Sequence, residues 1–475
     1  MRKSKIKILY VSAEISPYAS AGGLGEVGKS FPQALQKSKK IEIRRVMPCY
    51  KQINVKLKYI ADYPVAIEAG YETCVLKTDP ENTDIITYFI SNDRYFYRDN
   101  IYAYEDDNYR FFFFCRAVVE MLRNIKFKPD IVHTNDWHTG FLPLLLKKEF
   151  PSIKSVYTIH NISYHGFLPP AYVAEIVSKE EQILLGYPEW LNFMKAGILY
   201  ADLITTVSPS YKKEVMKSVQ GFGMSTLLKK RAASFTGILN GIDTDYYDPS
   251  KDKVLSYAYD ITCLERKKMN RSLLRSELGL TDTEIPLIAM VTRLVYEKGI
   301  ELLLKAISIT DLDSFQLIIM GSGNPYYEGI FEEVQAAYPK SIVYEKNYSS
   351  DMAKRIYASA DIYLMPSLYE PCGLGQLYAL RYGAVPVVNP VGGLKDTVKC
   401  SDKYPSRRSG FYMEAWTGEA LAKAMMQAVK AYYSPEREGI IKNGMQFNAS
   451  WSNSVSKYRK RYEEILENRM RMKQK

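Results

Sequence analysis

The chain has 475 residues, of which 47% are hydrophobic and 25% charged, and this composition excludes a disordered or fibrous protein. Its length exceeds what one hydrophobic core usually supports, so two domains are expected. The net charge of +11 comes partly from basic residues at both ends of the chain, and the other basic residues are dispersed. No nucleic-acid-binding surface is therefore predicted.

The cysteines and the apolar runs indicate the cellular compartment in which the protein is expected. Six cysteines lie far apart without a C-x-x-C pair, which argues against a zinc site or a disulfide framework. The apolar run near the start is short and interrupted by Glu14, and no later run approaches the roughly 18 apolar residues of a membrane-spanning helix. These features predict a cytoplasmic protein that does not associate with a membrane.

Short β-branched runs alternate with helical patterns along both halves of the chain. Buried strands are predicted at residues 6–12, 131–135, 155–159 and 203–207, whereas residues 64–91 are typical of hairpin insertions. After a segment rich in Asp and Tyr, a second series of predicted strands alternates with helical patterns. These strands are PLIAMVT, FQLIIMG, SIVYE, DIYLMP and AVPVVNP.

This pattern predicts an α/β fold with two doubly wound, Rossmann-like domains. Their boundaries are predicted at residues 1–248 and 254–475, with the last helix able to pack back on the N-terminal domain. In such folds ligands bind outside the carboxyl ends of the strands. The cleft between the two domains is therefore the expected site.

The segment GLGEVGKS, residues 23–30, matches the P-loop pattern of nucleoside triphosphatases and the glycine pattern of dinucleotide enzymes. In both folds the glycines follow the first strand directly, whereas EISPYASAG intervenes here. The segment is therefore interpreted as a helix start. Gly22, Gly23 and Gly25 are expected to offer backbone N–H groups and a positive helix end to an anion.

Cations and glycine-led helix starts follow the predicted strands of the second half. Arg293 at a strand end and Lys298 at a helix start suit two cations that converge on a diphosphate without a metal. Glu370 lies in an acidic turn within MPSLYEPCGLGQLYAL, and VNPVGGLKDTV supplies a further glycine-led helix start. Solvated turns and a helix N-terminal charge are the alternative interpretation of each residue taken alone.

All four histidines, His133, His138, His160 and His165, fall in one region of the first half. No carboxylate or thiol shares a ligand-like helical spacing with them, so no metal site is predicted. His133 is predicted to be a hydrogen-bonded core residue on a buried strand. The others are better explained as hydrogen-bonding residues at strand ends.

These motifs, taken in order, resemble those of bacterial glycogen or starch synthases, which are retaining glucosyltransferases with two facing Rossmann-like domains, the GT-B fold. The resemblance spans nearly the whole chain. Its motifs are SAEISPYASAGGLGEV, NDWHTG, TIHNISYHG, TTVSPSY, GFGMSTLL, GILNGIDTDYYDP, TRLVYEKG, PSLYEPCGLGQLYALRYG and VGGLKDTV.

The resemblance implies a role for individual residues. Arg293 and Lys298 would neutralise the donor diphosphate, and Glu370 would lie at the glucosyl group, which His160 and Asp136 would also approach. The implied donor-binding residues are Ser20, Gly22, Gly23, Tyr348, Cys372, Gly373, Leu374, Gly392 and Gly393. On the acceptor side the resemblance implies Glu14, Asn161 and Asn240.

The chain departs from the family pattern at one position. The family has Lys, then Thr or Val, before Gly-Gly-Leu, whereas this chain has Ser20 and Ala21 before Gly22. The lysine that meets the donor phosphate is therefore absent, and this absence bears on donor affinity and donor choice.

The implied reaction is glucosyl transfer, with retention, from a nucleotide diphosphate glucose, ADP-glucose above UDP-glucose, to an α-1,4-glucan. Neither a cofactor nor a metal is expected, and the sequence leaves the oligomeric state open. Three other functions fit in part: a glucan phosphorylase with pyridoxal phosphate, a nucleotide-sugar transferase acting on another acceptor, and a catalytically silent glucan-binding protein. The presence of Arg293, Lys298, Glu370 and His160 disfavours the silent binding protein.

Overall fold

The structure is a computed structural model that describes residues 5–67, 70–173, 175–186, 189–400 and 405–473. The strands are β1 (Ile6–Val11), β2 (Ile41–Pro48), β3 (Lys58–Ile67), β4 (Gly70–Thr78), β5 (Thr87–Ser91), β6 (Ile131–Asn135), β7 (Lys154–Ile159), β8 (Phe167–Leu168), β9 (Leu191–Asn192), β10 (Leu203–Thr206), β11 (Phe235–Gly237), β12 (Leu287–Val291), β13 (Gln316–Met320), β14 (Ile342–Glu345), β15 (Ile362–Met365), β16 (Val385–Val388) and β17 (Phe411–Tyr412).

The helices alternate with these strands. They are α1 (Gly23–Gln36), α2 (Asp93–Phe96), α3 (Asp107–Asn124), α4 (Leu142–Glu149), α5 (Lys179–Leu185), α6 (Phe193–Tyr200), α7 (Pro209–Val215), α8 (Ser225–Lys230), α9 (Glu265–Glu277), α10 (Ile300–Ile309), α11 (Pro325–Ala337), α12 (Ser350–Ser359), α13 (Gly375–Arg381), α14 (Gly392–Thr397), α15 (Gly418–Tyr432), α16 (Arg437–Met445) and α17 (Ser452–Lys473).

The chain divides into two compact units. The first comprises Met1–Gly241 together with Trp451–Lys475, and the second comprises Ile242–Ser450. Residues 242–248 therefore group with the second unit, ahead of the predicted boundary, and α17 groups with the first unit. Helix α17 belongs there because its Tyr458 and Tyr462, together with Trp451 just before the helix, are buried in one cluster with Phe31 of α1.

The main sheet of the first unit has the strand order β11-β10-β7-β6-β1-β2-β5-β4-β3. From β11 to β5 neighbouring strands are parallel, and only the β3–β4 hairpin and its pairing with β5 are antiparallel. The central strands are buried along their length, which is typical of a parallel sheet covered on both faces. The predicted hairpin insertion is confirmed, although β5 rejoins the parallel part beside β2.

The sheet of the second unit has the order β14-β13-β12-β15-β16-β17, and all its strands are parallel. The order reverses beside β12, as in doubly wound folds. Helices connect successive strands, and the strand residues form the centre of one hydrophobic core. The predicted fold class, two Rossmann-like α/β domains, is therefore confirmed.

Candidate active site

The predicted site residues of each unit lie on the loops that follow parallel strands. In the first unit they follow β1, β6, β7 and β11, and in the second they follow β12, β14, β15 and β16. Because the carboxyl ends of parallel strands meet at one edge of a sheet, each unit gathers its residues at a single edge.

The glycine-rich loop of the first unit is held by an internal carboxylate. Glu14, which is 4% exposed, accepts hydrogen bonds through Oε2 from the N–H groups of Ala21 (2.6 Å) and Gly22 (3.1 Å). Its Oε1 accepts the hydroxyl hydrogen of Tyr102 at 2.7 Å. The amide of Gly22 therefore meets a carboxylate, where the sequence predicted an anionic ligand.

The glycines that mimic a phosphate-binding motif instead allow close packing around α1. A Cβ atom at Gly25 would lie 2.2 Å from Ser20 Oγ, and one at Gly28 would lie 2.5 Å from the carbonyl oxygen of Glu14. The exposed Ser20 donates its hydroxyl hydrogen to the carbonyl of Gly22 at 3.0 Å. Since the motif lies inside α1, neither a P-loop nor a dinucleotide fingerprint is present at residues 23–30.

Asp136, directly after β6, fixes the backbone of the loop after β7. Its Oδ1 accepts the N–H groups of His160 (3.0 Å) and Asn161 (3.2 Å). The residue has a positive φ of 58°, an uncommon conformation that in native proteins concentrates at functional sites. Burial raises the pKa of its carboxyl to about 7, the two amides oppose that shift, and Glu14 adds to it.

His160 is held in one tautomer by Asn135, the last residue of β6. The amide nitrogen of Asn135 donates to the carbonyl of Val11 at 2.9 Å, so its Oδ1 faces His160 Nε2, also at 2.9 Å. Because Oδ1 can only accept, Nε2 carries the proton. Burial lowers the pKa of His160 to about 3, so the ring is neutral and Nδ1 is an acceptor.

The two predicted acceptor-side asparagines differ in their surroundings. Asn161 accepts the N–H and hydroxyl hydrogens of Ser163 through Oδ1, at 3.0 and 2.8 Å. Asn240 follows β11, is 7% exposed, and donates its backbone N–H to the carbonyl of Val207 at 3.2 Å. Both lie at the same sheet edge as Asp136.

In the second unit, Lys298 and Glu370 form an ion pair. Lys298 Nζ lies 2.6 Å from Glu370 Oε2, and their side chains are 17% and 11% exposed. The hydroxyl of Ser367 donates to the same Oε2 at 3.0 Å. The structure thus brings together two residues that are 72 positions apart in the sequence.

Arg293 and Tyr348 are more open. Arg293 is exposed after β12, and its guanidinium makes neither an ion pair nor a hydrogen bond with any residue that the structure describes. Tyr348 follows β14 and is 64% exposed, so its ring presents a large apolar area to solvent. An exposed cation and an exposed aromatic ring suit a nucleotide ligand.

The turn before α13 holds its carbonyl groups inward. The buried Gln376 donates through Nε2 to the carbonyls of Cys372 and Gly373, at 3.0 Å each. Within the described part of the chain, the N–H groups of Gly373 and Leu374 find no acceptor. Both residues are among those that the family resemblance implies for donor binding.

The glycine pair that begins α14, Gly392 and Gly393, packs directly on this turn. Gly392 has a φ of +45°, and a Cβ there would lie 2.0 Å from the carbonyl oxygen of Glu370. The N–H of Gly393 donates to that carbonyl at 3.1 Å. In this structure the pair therefore fixes the main chain of Glu370.

The histidines do not converge on a common centre. His133 is 1% exposed, and its Nδ1 and Nε2 lie 2.7 Å from Tyr462 Oη and 2.6 Å from Thr158 Oγ1, which confirms the predicted core role. Among the described residues no group of three or more His, Cys, Asp and Glu side chains could hold a metal ion.

In the part of the chain that the structure describes, no helix combines the length and apolar character needed to cross a membrane.

Three neighbours of the predicted residues escaped the sequence analysis, namely Asn135, Tyr102 and Ser367. Asn135 and Ser367 lie close to residues that the motifs highlight. Their position near the end of a strand is the sequence signal that could have identified them. Tyr102 lies 88 residues from Glu14 in the sequence, and no local pattern links the two.

Comparison with known proteins identifies the family. A family model described as "Starch synthase catalytic domain" matches residues 7–230, and one described as "Glycosyl transferases group 1" matches residues 275–447. A glycogen synthase of Moorella thermoacetica is 40% identical, covering 98% of this chain and 98% of that relative. One from Clostridium botulinum is 37% identical, with 97% and 99% covered.

Solved structures agree with the sequence comparison. The catalytic domain of starch synthase IV from Arabidopsis thaliana, bound to ADP and acarbose, superposes with a TM-score of 0.91 at 28% identity, covering 98% of this chain and 100% of that chain. A sucrose-phosphate synthase from Thermosynechococcus elongatus, at 19% identity and a TM-score of 0.65, supports the fold alone. The chain thus belongs to the glycogen and starch synthase family of GT-B glycosyltransferases.

Proposed function

We propose that this glycosyltransferase moves glucose from ADP-glucose to the non-reducing 4-hydroxyl of an α-1,4-glucan, with retention of configuration. The observation that carries the proposal is the Lys298–Glu370 pair, with the exposed Arg293 on the same edge. The amides of Gly373 and Leu374, for which the described residues offer no acceptor, lie on that edge as well. Two cations and two amide donors match a sugar diphosphate. ADP and acarbose in the Arabidopsis relative suggest the same ligand classes here.

In this proposal Arg293 and Lys298 neutralise the diphosphate, which makes a metal ion unnecessary for that step. Glu370 lies at the glucosyl group, and the exposed ring of Tyr348 stacks on the base. The C1–O bond to the phosphate breaks while a bond forms from C1 to the acceptor O4. The acceptor proton passes to the leaving phosphate on the same face of the sugar, so no second carboxylate is required.

In the first unit, His160 is a neutral hydrogen-bonding group whose Nδ1 can accept a hydrogen bond. Asp136 acts by positioning, because its Oδ1 holds the backbone amides of His160 and Asn161. Glu14 likewise positions the loop that contains Ser20 and Gly22 and leads into α1 at Gly23. Asn161 and Asn240 are assigned to the acceptor.

The experiment is transfer of labelled glucose from ADP-glucose and from UDP-glucose to glycogen, with and without EDTA. Incorporation from ADP-glucose that EDTA leaves unchanged is the expected result. Preferred use of UDP-glucose would overturn the donor assignment, and inhibition by EDTA would overturn the assignment of charge neutralisation to the two cations. Transfer to a small sugar or a lipid instead of glycogen would overturn the acceptor.

A further inference from the structure

We infer that Ser367 is the positioning residue for the Glu370 carboxylate during transfer. This inference rests on the proposed role of Glu370 at the glucosyl group. The hydroxyl of Ser367 lies 3.0 Å from Glu370 Oε2, and the two residues are 2% and 8% exposed. A hydrogen bond to a charged group in such a buried place is stronger than one between neutral groups.

Lys298 alone cannot fix this carboxylate through the reaction. Its Nζ bonds the same Oε2 from the end of a long, flexible side chain. If Lys298 Nζ turns toward the diphosphate, as its proposed role requires, Ser367 remains as the side-chain donor on that oxygen. The short serine side chain has one rotatable bond to its oxygen, so its donor position follows directly from the backbone.

Three hydrogen bonds hold the backbone around Ser367 in place. Asn389 Nδ2 donates to the carbonyl of Ser367 at 2.8 Å. Trp416 Nε1 donates to the carbonyl of Pro366 at 2.8 Å, and the N–H of Leu368 donates to the carbonyl of Glu297 at 2.8 Å. These bonds come from three separate parts of the second unit, so the hydroxyl is held before any ligand arrives. Preorganised groups of this kind cost no rearrangement at the moment of reaction.

The test compares Ser367→Ala, Ser367→Thr and the control Ser359→Ala in the full-length enzyme. Ser359 is 1% exposed in the same unit, and its hydroxyl donates to the carbonyl of Asn270 at 3.1 Å, so the control removes an equally buried hydroxyl elsewhere. For each variant, kcat, the KM for ADP-glucose and the melting temperature are measured.

We expect Ser367→Ala to lower kcat about ten- to hundredfold, the range typical for loss of a hydrogen bond to a charged group, with the donor KM within about twofold of wild type. Ser367→Thr, which keeps the hydroxyl, should restore most of kcat, and Ser359→Ala should keep wild-type kinetics. Equal kcat in the two alanine variants, a change confined to KM, or no recovery with threonine would overturn the inference. Absence of transfer by the wild-type enzyme would instead overturn the proposed function on which the inference depends.

Discussion

Lys298 Nζ lies 2.6 Å from Glu370 Oε2, so the cation proposed for the diphosphate and the carboxylate proposed for the glucosyl group are paired with each other. Both side chains are mostly buried, at 17% and 11% exposure. Removal of either partner leaves the other charge without its counter-charge in a partly desolvated environment. The pair therefore couples stability to catalysis.

We expect Lys298→Met to lower kcat about 10²- to 10³-fold, the usual effect of removing one preorganised electrostatic group. Because the Glu370 carboxylate loses its cation and keeps only the hydrogen bond from Ser367, the free energy of unfolding should also fall by about 1–3 kcal/mol. The measurements are steady-state kinetics and urea denaturation.

The matched control for Lys298→Met is Arg271→Met, which breaks a buried ion pair with Asp361 (2.8 Å) in the same unit. This control should lose stability while the folded enzyme keeps its kcat. A Lys298→Met enzyme whose kcat stays within about threefold of the control would remove Lys298 from the mechanism.

Ser20→Lys should tighten the binding of ADP and ADP-glucose about tenfold, because a charge-assisted hydrogen bond to a diphosphate exceeds a neutral one by roughly 1–2 kcal/mol. Ser20 is exposed, so the gain should shrink as salt rises. Calorimetric titration of ADP at low and high salt measures both effects. Ser152→Lys adds the same charge at the exposed turn before β7, the opposite sheet edge, and should leave the affinity unchanged. Equal affinities in both variants would mean that position 20 does not meet the phosphate.

Variants of Glu14 distinguish a loop-holding role from direct contact with the glucan. Gln at this position can still accept from the amides of Ala21 and Gly22, whereas Ala cannot. Glu14→Gln should therefore keep the KM values for donor and glucan within about threefold of wild type. Glu14→Ala should weaken ADP binding about tenfold or more, because the loop loses both hydrogen bonds. A raised glucan KM in Glu14→Gln, with normal ADP affinity, would restore the acceptor role implied by the family resemblance.

Asp136→Asn should change the pH dependence of stability in a defined direction. The carboxyl has a pKa of about 7 in the folded protein against 3.8 in the unfolded chain, because it is buried. Between these values the folded state binds more protons, so this group makes wild-type stability fall as pH rises from about 4 to about 7. Asn does not titrate, and its side-chain oxygen can accept the same two hydrogen bonds from the N–H groups of His160 and Asn161.

The stability advantage of Asp136→Asn should therefore grow over that range, by at most about 4 kcal/mol, and stay constant above it. Denaturation of both proteins at pH 4.5, 6 and 8 measures the difference, and contributions from the buried histidines cancel. An advantage that is independent of pH would show that Asp136 is already ionised at acid pH.

The sequence by itself determined the two parallel sheets and the helices between them. Runs such as ILYV (residues 8–11) and LIAM (residues 287–290) are buried on both faces of a sheet, so their continuous apolar character identifies them without knowledge of their neighbours. It also placed Asp136, His160, Lys298 and Glu370 after strands, because in doubly wound folds the loops at the carboxyl strand ends carry function.

Only the tertiary structure decided what these residues touch. The amides of the glycine-rich loop meet Glu14, His160 faces Asn135 from 25 residues away, and Glu370 is held by Ser367 and Lys298. Hydrogen bonds between side chains on different loops leave no periodic trace in the sequence. They depend on the order of strands in the sheet and on the distance between loop atoms, and both are set when the sheet assembles.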